Sequence, residues 1–246
     1  MTTDVLLRTD DSGIATLTLN RPDVLNALSP ESFRVLRGHI QDIAARTDEI
    51  GCVVIRSFGK SFCAGFDIKA LKANNDAEPP SARAEVLVQL TKLPQPVIMA
   101  VQGYCFTGGL ELALAGDIII AAERARFRDT HAKIGLMAGW GLPARLSRRI
   151  GTGAAKMMML TAREIDAQEA LRLGLVNMVV PDAELHAKAD EVARMVTANS
   201  WPAVQWDKRM IDAGIEMSLA DALKMEREDR PARTDDVKKR LEKQGW

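Results

Sequence analysis

Two glycine-bearing turns, residues 63–67 (Cys-Ala-Gly-Phe-Asp) and 106–110 (Phe-Thr-Gly-Gly-Leu), are the places where this chain could do chemistry. Each follows an apolar run and leads into a helical stretch. A helix start leaves backbone N–H groups without intrahelical partners. Two such starts brought together can aim their donors at one oxygen anion, and glycine lets a ligand approach the bare backbone closely. Taken alone, each turn has a plainer reading, because glycine often serves only to turn the chain. Glu111 follows Gly108-Gly109 directly. A carboxylate in a first helical turn is stabilised as the anion by the helix dipole, so Glu111 by itself reads as a helix-capping acid.

The elements that must position these groups follow from periodicity. Residues 14–19 (IATLTL) alternate as a half-buried strand does. Asn20-Arg21-Pro22-Asp23 marks a turn. Ser29-Pro30 begins an amphipathic helix whose apolar face is Phe33, Leu36, Ile40 and Ile43. Residues 52–55 (CVVI) form a buried strand that runs into the first glycine turn and a short polar helix, and 74–80 is the most loop-like run. A helix over about 82–93 stops at Pro94. The pattern then returns: strand 97–101 (VIMAV), the second glycine turn, a helix over 110–115 and a strand over 117–121. The two strand–turn–helix units lie 44 residues apart, counted from Val53 to Val97. Such a repeat suggests a stacked or spiral α/β core. Asp166 and Glu169 start a helix ending at Gly174, 175–180 is a further strand, and the chain is helical beyond Pro181. We place a boundary near residue 190, between an α/β core (1–190) and a helical C-terminal part (191–246).

Composition narrows the functional classes. The chain has 246 residues, with 33 basic side chains against 33 acidic ones and 4% aromatics. That balance gives no basic surface for nucleic acid and little material for stacking bases. The apolar run 118–122 is far too short to span a bilayer, and the N-terminus carries acids where a signal peptide carries a basic region. A soluble, cytoplasmic protein is expected, with no membrane partner; a matrix enzyme whose transit peptide had been trimmed away reads the same. Cys52, Cys63 and Cys105 are an odd number without CxxC spacing, so small buried hydrophobes are expected, with no disulfide framework and no metal site.

The segments 62–71 (FCAGFDIKAL) and 97–121 (VIMAVQGYCFTGGLELALAGDIIIA) closely resemble the crotonase family, also called the enoyl-CoA hydratase/isomerase superfamily. Residues 19–28, 134–151 and 160–181 fit the same family in order and spacing. The resemblance runs from about residue 5 to about 200 and weakens over the charged C-terminus. It implies a spiral of repeated ββα units with a helical C-terminal trimerisation region, assembled as homotrimers or dimers of trimers. It also implies an acyl-CoA substrate, stabilisation of a thioester enolate, and no cofactor beyond that substrate.

Carried over position by position, the resemblance puts oxyanion donors at the N–H groups of Phe66 and Gly108. Phe66 stands where relatives commonly have a small residue, so its ring narrows the acyl space. Ala64 and Lys69 match positions along CoA, and Arg21 lies in the segment bordering its pantetheine and pyrophosphate. Gly139 matches a glycine turn over the substrate, with Trp140 inserted beside it. Glu111 matches the hydratases' water-activating glutamate, while their second glutamate is replaced by His131. His131 is then a proton carrier or a polar wall of the pocket. Asp129 is the lesser candidate, since strand alternation or a turn can aim it away. The expected activity is addition of water to a 2-enoyl-CoA. Double-bond isomerisation by a single proton shuttle and non-catalytic acyl-CoA binding are the alternatives.

Overall fold

The computed structural model describes residues 4–73, 79–231, 234 and 236–244. Its centre is a six-stranded sheet. The strands are β1 (Leu6–Asp11), β2 (Ile14–Leu19), β3 (Cys52–Ser57), β4 (Val97–Val101), β6 (Ile118–Ala122) and β9 (Met178–Val180), in the order β1-β2-β3-β4-β6-β9. Only the β1–β2 pair is antiparallel. Parallel strands covered on both faces read as unbroken apolar runs, and β4 (VIMAV) is buried at every position. The 44-residue repeat is a physical register, because Val53 pairs with Val97 in adjacent strands.

A second sheet carries the chemistry-bearing turns. Its strands are β5 (Tyr104–Phe106), β7 (Arg126–Arg128) and β8 (Glu164–Asp166), in the order β5-β7-β8. A parallel bridge between Cys63 and Cys105 extends it to the first glycine turn. Successive turns of the chain therefore lay one strand in the large sheet and then one in the small sheet, as a spiral does. This second sheet is invisible in the sequence because its strands have only three residues each. All three cysteines are buried and free, as expected of small hydrophobes. Burial pushes the Cys52 and Cys63 thiols up to about 12.

Helices cover both faces of the large sheet. On one face lie α1 (Pro30–Ala45) and α3 (Pro80–Thr91). The Ser29 hydroxyl caps α1 by accepting the Ser32 N–H, and Phe33, Leu36, Ile40 and Ile43 are buried as the sequence predicts. The short α2 (Ile68–Ala73) follows the first glycine turn. The expected loop at 74–80 falls on residues 74–78, which lie outside the described residues, before Pro79 and Pro80 open α3. On the other face α8 (Leu185–Thr197) lays Leu185, Ala189 and Ala193 against Cys52, Val54, Ile98 and Ile120. Residue 190 lies inside this core-packed helix, so the helices that leave the sheet begin after it. They are α9 (Trp201–Gly214), α10 (Leu219–Glu228) and α11 (Val237–Gln244). Lys208 of α9 reaches back to the Asp117 carboxylate, which also accepts the Val97 N–H at 2.7 Å.

Some elements differ from expectation. All of β2 is buried, not half of it, because β1 and β3 flank it and α8 also reaches it. The strand expected over 175–180 begins only at Met178; the N–H groups of Leu175 and Val176 instead bond the Ala170 carbonyl at the end of α7 (Ala167–Arg172). His39 and His186, which sit among polar residues in the sequence, are half-buried. Among the described residues no helix is long and apolar enough to cross a membrane.

Candidate active site

The two glycine turns meet. The first is fixed from outside by Arg21, whose guanidinium donates to the Ala27 carbonyl and pairs with Asp67 at 2.8 Å. Burial alone would raise the Asp67 carboxyl; the Arg21 pair and the Lys69 N–H outweigh it and hold the group ionised. Leu28 N donates to Gly65 O and Asp67 N to Leu28 O, at 2.8 Å each, so the backbone of residue 66 is held on both sides. The second turn ends β5 and opens α4 (Gly108–Ala113). Thr107 adopts φ 52°, ψ −112°, a left-handed-side conformation that a non-glycine residue takes only when its surroundings enforce it. Here its N–H donates to Arg128 O at 2.8 Å, and its hydroxyl lies 2.7 Å from that of Thr130.

Close backbone approach is what the glycines provide. A Cβ on Gly109 would lie 2.3 Å from the Cys63 carbonyl oxygen, so the turns could not pack with any other residue there. A Cβ on Gly108 would lie 3.3 Å from Phe66 N, and one on Gly65 would lie 3.6 Å from Gly108 N. The amide nitrogens of Phe66 and Gly108 thus lie close together, and neither has a hydrogen-bond partner among the described residues. Two neighbouring unused donors can serve an oxygen that gains negative charge, provided both point at it.

Glu111 lies one helical turn beyond Gly108 and is 1% exposed. Its Oε1 accepts the N–H groups of Trp140 at 2.8 Å and Leu142 at 3.3 Å. Leu142 begins α5 (Leu142–Ile150), so the carboxylate sits on the N-terminus of a second helix as well as in the first turn of its own. Burial raises the Glu111 carboxyl above its ordinary range, opposed by these two amides and by His131. Arg145 of α5 supports the arrangement by donating to the Trp140 carbonyl at 3.2 Å and to Thr91 Oγ1 at 3.1 Å.

Glu111 Oε2 is left facing His131 Nε2 at 3.9 Å. The other ring nitrogen of His131 lies 2.6 Å from Asp129 Oδ1, which also accepts the His131 N–H at 3.1 Å. Burial disfavours the imidazolium, but the bond to Asp129 and the nearby Glu111 outweigh it and raise His131 above its ordinary value. Asp129 is thus not aimed away from the site: it is 1% exposed and bonded to the ring. Sequence reasoning ranked it low because a residue after a three-residue strand has no periodicity to settle its direction.

Aromatic rings wall this spot. Trp140 meets Phe33 edge-on at 4.8 Å and Phe66 at 5.7 Å, and its ring lies against Gly108. Arg83 of α3 stacks over the outer face of Phe66 at 4.3 Å. The remaining sequence candidates flank this cluster. Ala64 is half-buried within the first turn, with its N–H on Leu25 O at 3.0 Å, and Lys69 is exposed on α2. Gly139 is exposed, with nothing within 4 Å of the place a Cβ would occupy; the left-handed glycine of this loop is Gly141, at φ 103°. Phe66, Gly108, Glu111, His131 and Trp140 come together, while Arg21 builds the first turn. Thr107, Asp129 and Arg145 are the supports that sequence reasoning missed or undervalued.

Comparison with known proteins gives a consistent answer. A family model described as Enoyl-CoA hydratase/isomerase matches residues 9–243, well past the point near 200 where the sequence resemblance weakens. The chain is 35% identical over 224 residues to a probable peroxisomal enoyl-CoA hydratase 1 of Arabidopsis thaliana, covering 91% of this chain and 84% of the relative. It is 37% identical over 218 residues to a short-chain-enoyl-CoA hydratase of Clostridium acetobutylicum, covering 87% and 84%. The crystal structure of an enoyl-CoA hydratase from Bacillus anthracis superimposes with a TM-score of 0.86 at 34% identity, covering 91% of this chain and 88% of that one.

Proposed function

The chain belongs to the enoyl-CoA hydratase/isomerase family, and we propose that it is an enoyl-CoA hydratase whose two proton carriers are Glu111 and His131. The substrate is a 2-enoyl-CoA and the product a 3-hydroxyacyl-CoA. The amides of Phe66 and Gly108 hold the thioester oxygen as it gains charge. Glu111 Oε2 takes a proton from the water that attacks the β-carbon, while Oε1 stays fixed by Trp140 and Leu142. His131 Nε2 gives a proton to the α-carbon, collapsing the enolate. Water supplies the hydroxyl at the β-carbon directly and replaces the proton that His131 gives to the α-carbon, and no cofactor takes part.

The observation that carries this reading is the facing pair, Glu111 Oε2 and His131 Nε2 at 3.9 Å, built onto the helix whose first amide is one of the two free donors. Removing one oxyanion donor typically costs about 3 kcal/mol of barrier, so the turns matter as much as the pair. Phe66 and Trp140 crowd the acyl side and suit a short chain. Ala64, Lys69, Arg21 and Gly139 border the path for CoA. Exposed Ile211 on α9, Ile215 just past its end, and Leu219 and Leu223 on α10 support a homotrimer or dimer of trimers formed by the region after residue 190.

The test is turnover of a four-carbon 2-enoyl-CoA, with the product identified by mass and chirality. A 3-hydroxyacyl-CoA is expected. A shifted double bond without added water would make the pair an isomerase shuttle. Tight acyl-CoA binding with no turnover of any enoyl or 3-hydroxyacyl thioester would make the protein a binder.

A further inference from the structure

Among the described residues, Asp129 is the one buried acid beside the site that the hydration scheme does not use. It follows β7, is 1% exposed, and no lysine or arginine pairs with it among the described residues. A buried carboxylate needs compensating donors. Both of those found here belong to His131: the backbone N–H at 3.1 Å and ring Nδ1 at 2.6 Å, on the same oxygen. One atom thereby fixes both the backbone and the ring of the residue two places on. The next turn is pinned as well, because Thr130 between them is bonded to Thr107 of the second glycine turn.

We infer that Asp129 is a positioning residue. It holds the His131 ring with Nδ1–H on its own Oδ1 and Nε2 toward Glu111 Oε2, and so makes His131 the proton partner of Glu111. This rests on the hydration reading for its kinetic part, but not for its geometric part.

The chemistry follows from the tautomer. A carboxylate accepts only, so Nδ1 carries a proton at all times and every proton exchanged passes through Nε2. The imidazolium donates Nε2–H to the α-carbon and becomes the Nδ1–H neutral ring. Glu111 has meanwhile gained the proton of the attacking water. Passing it from Oε2 to Nε2 across the 3.9 Å gap restores both groups, and catalytic hydrogen bonds of this kind commonly tighten once substrate is bound. The groups that set the charge of His131 are Asp129 on its own segment and Glu111 from α4, with Arg145 of α5 acting on Glu111 from behind.

The test has two arms. The chain has three histidines, so the ring nitrogens of His131 can be assigned in a 15N spectrum by comparison with His131→Gln. In the wild-type protein, Nδ1 should stay protonated throughout a pH titration while Nε2 titrates. Loss of the proton from Nδ1 first would overturn the inference, whatever the enzyme's activity. In the kinetic arm, Asp129→Asn keeps the size but not the charge. It should lower kcat about a hundredfold with KM little changed, and move the alkaline limb of the pH profile to lower pH. In a His131→Gln background the same change should cost almost nothing, since the ring it positions is gone. An equal loss in that background, or an unmoved limb, would show that Asp129 only supports the fold. Failure of wild-type hydration with an Nδ1–H ring intact would sink the hydration reading and leave the positioning role standing.

Discussion

Replacing Glu111 with glutamine separates the roles of its two oxygens. Oε1 accepts the N–H groups of Trp140 and Leu142 at 2.8 and 3.3 Å, and a glutamine carbonyl can keep both. What is lost is the charge on the N-terminus of α5, worth about 0.3–1 kcal/mol and up to ~2 kcal/mol in a partly buried setting. Against this, a buried carboxylate no longer has to be kept ionised at a site where burial raises its pKa. The two effects oppose each other, so stability should change by less than about 1 kcal/mol, a Tm shift of less than about 4 °C for a chain of this size. Activity should respond very differently. A positioned general base contributes about 10²–10⁴-fold, which at 1.36 kcal/mol per decade is roughly 2.7–5.4 kcal/mol of barrier. The assay is loss of the conjugated enoyl-thioester absorbance of a four-carbon 2-enoyl-CoA under steady-state conditions, with Tm measured on the same preparation. We expect kcat to fall at least a hundredfold with KM nearly unchanged. A folded Glu111→Gln protein with kcat within threefold of wild type would refute the reasoning.

The pH profile of kcat/KM should be bell-shaped. Glu111 must be ionised to take a proton, so activity falls as pH drops through its raised pKa; His131 must be protonated to give one, so activity falls as pH rises through its raised pKa. His131→Gln should lose the alkaline limb, and a flat profile in the wild type would contradict the assignment. Gly109→Ala places a Cβ 2.3 Å from a backbone oxygen; a stability loss of about 1–3 kcal/mol or more, with a greater loss of activity, is expected by thermal melt and assay. Lys208→Ala leaves the largely buried Asp117 carboxylate without its cation and should cost about 1–3 kcal/mol in denaturant unfolding. Because burial raises the Asp117 carboxyl, that penalty should shrink as pH falls and the group takes up its proton. An equal penalty at low and neutral pH would contradict the pairing.

Much of this was legible in the sequence for definite physical reasons. The buried strands, the capped α1 and the two glycine turns are local signals, and the spacing of 44 residues became a register between β3 and β4. The small sheet was not legible, because three-residue strands carry no usable alternation. Within the site, Glu111 was legible from its place after Gly108-Gly109 taken together with the family resemblance. Its second anchor was not, since the amides of Trp140 and Leu142 come from a loop and helix about thirty residues on. Asp129 depends on the rotation of one turn, and Thr107 on a backbone strain that residue type does not announce. Arg21 carries a contact that its position does not announce: besides the CoA border that the family resemblance implies, its guanidinium is bonded to Asp67 and to the Ala27 carbonyl.

The claim at the centre of this account is that the amides of Phe66 and Gly108 receive a thioester oxygen beside Glu111 and His131. A crystal structure with a bound, unreactive acyl-CoA tests it directly. The account predicts the thioester oxygen about 2.7–3.1 Å from both nitrogens, with the α-carbon next to His131 Nε2 and the β-carbon on the side of Glu111 Oε2. A thioester bound elsewhere, or with its oxygen turned away from the two amides, would contradict it.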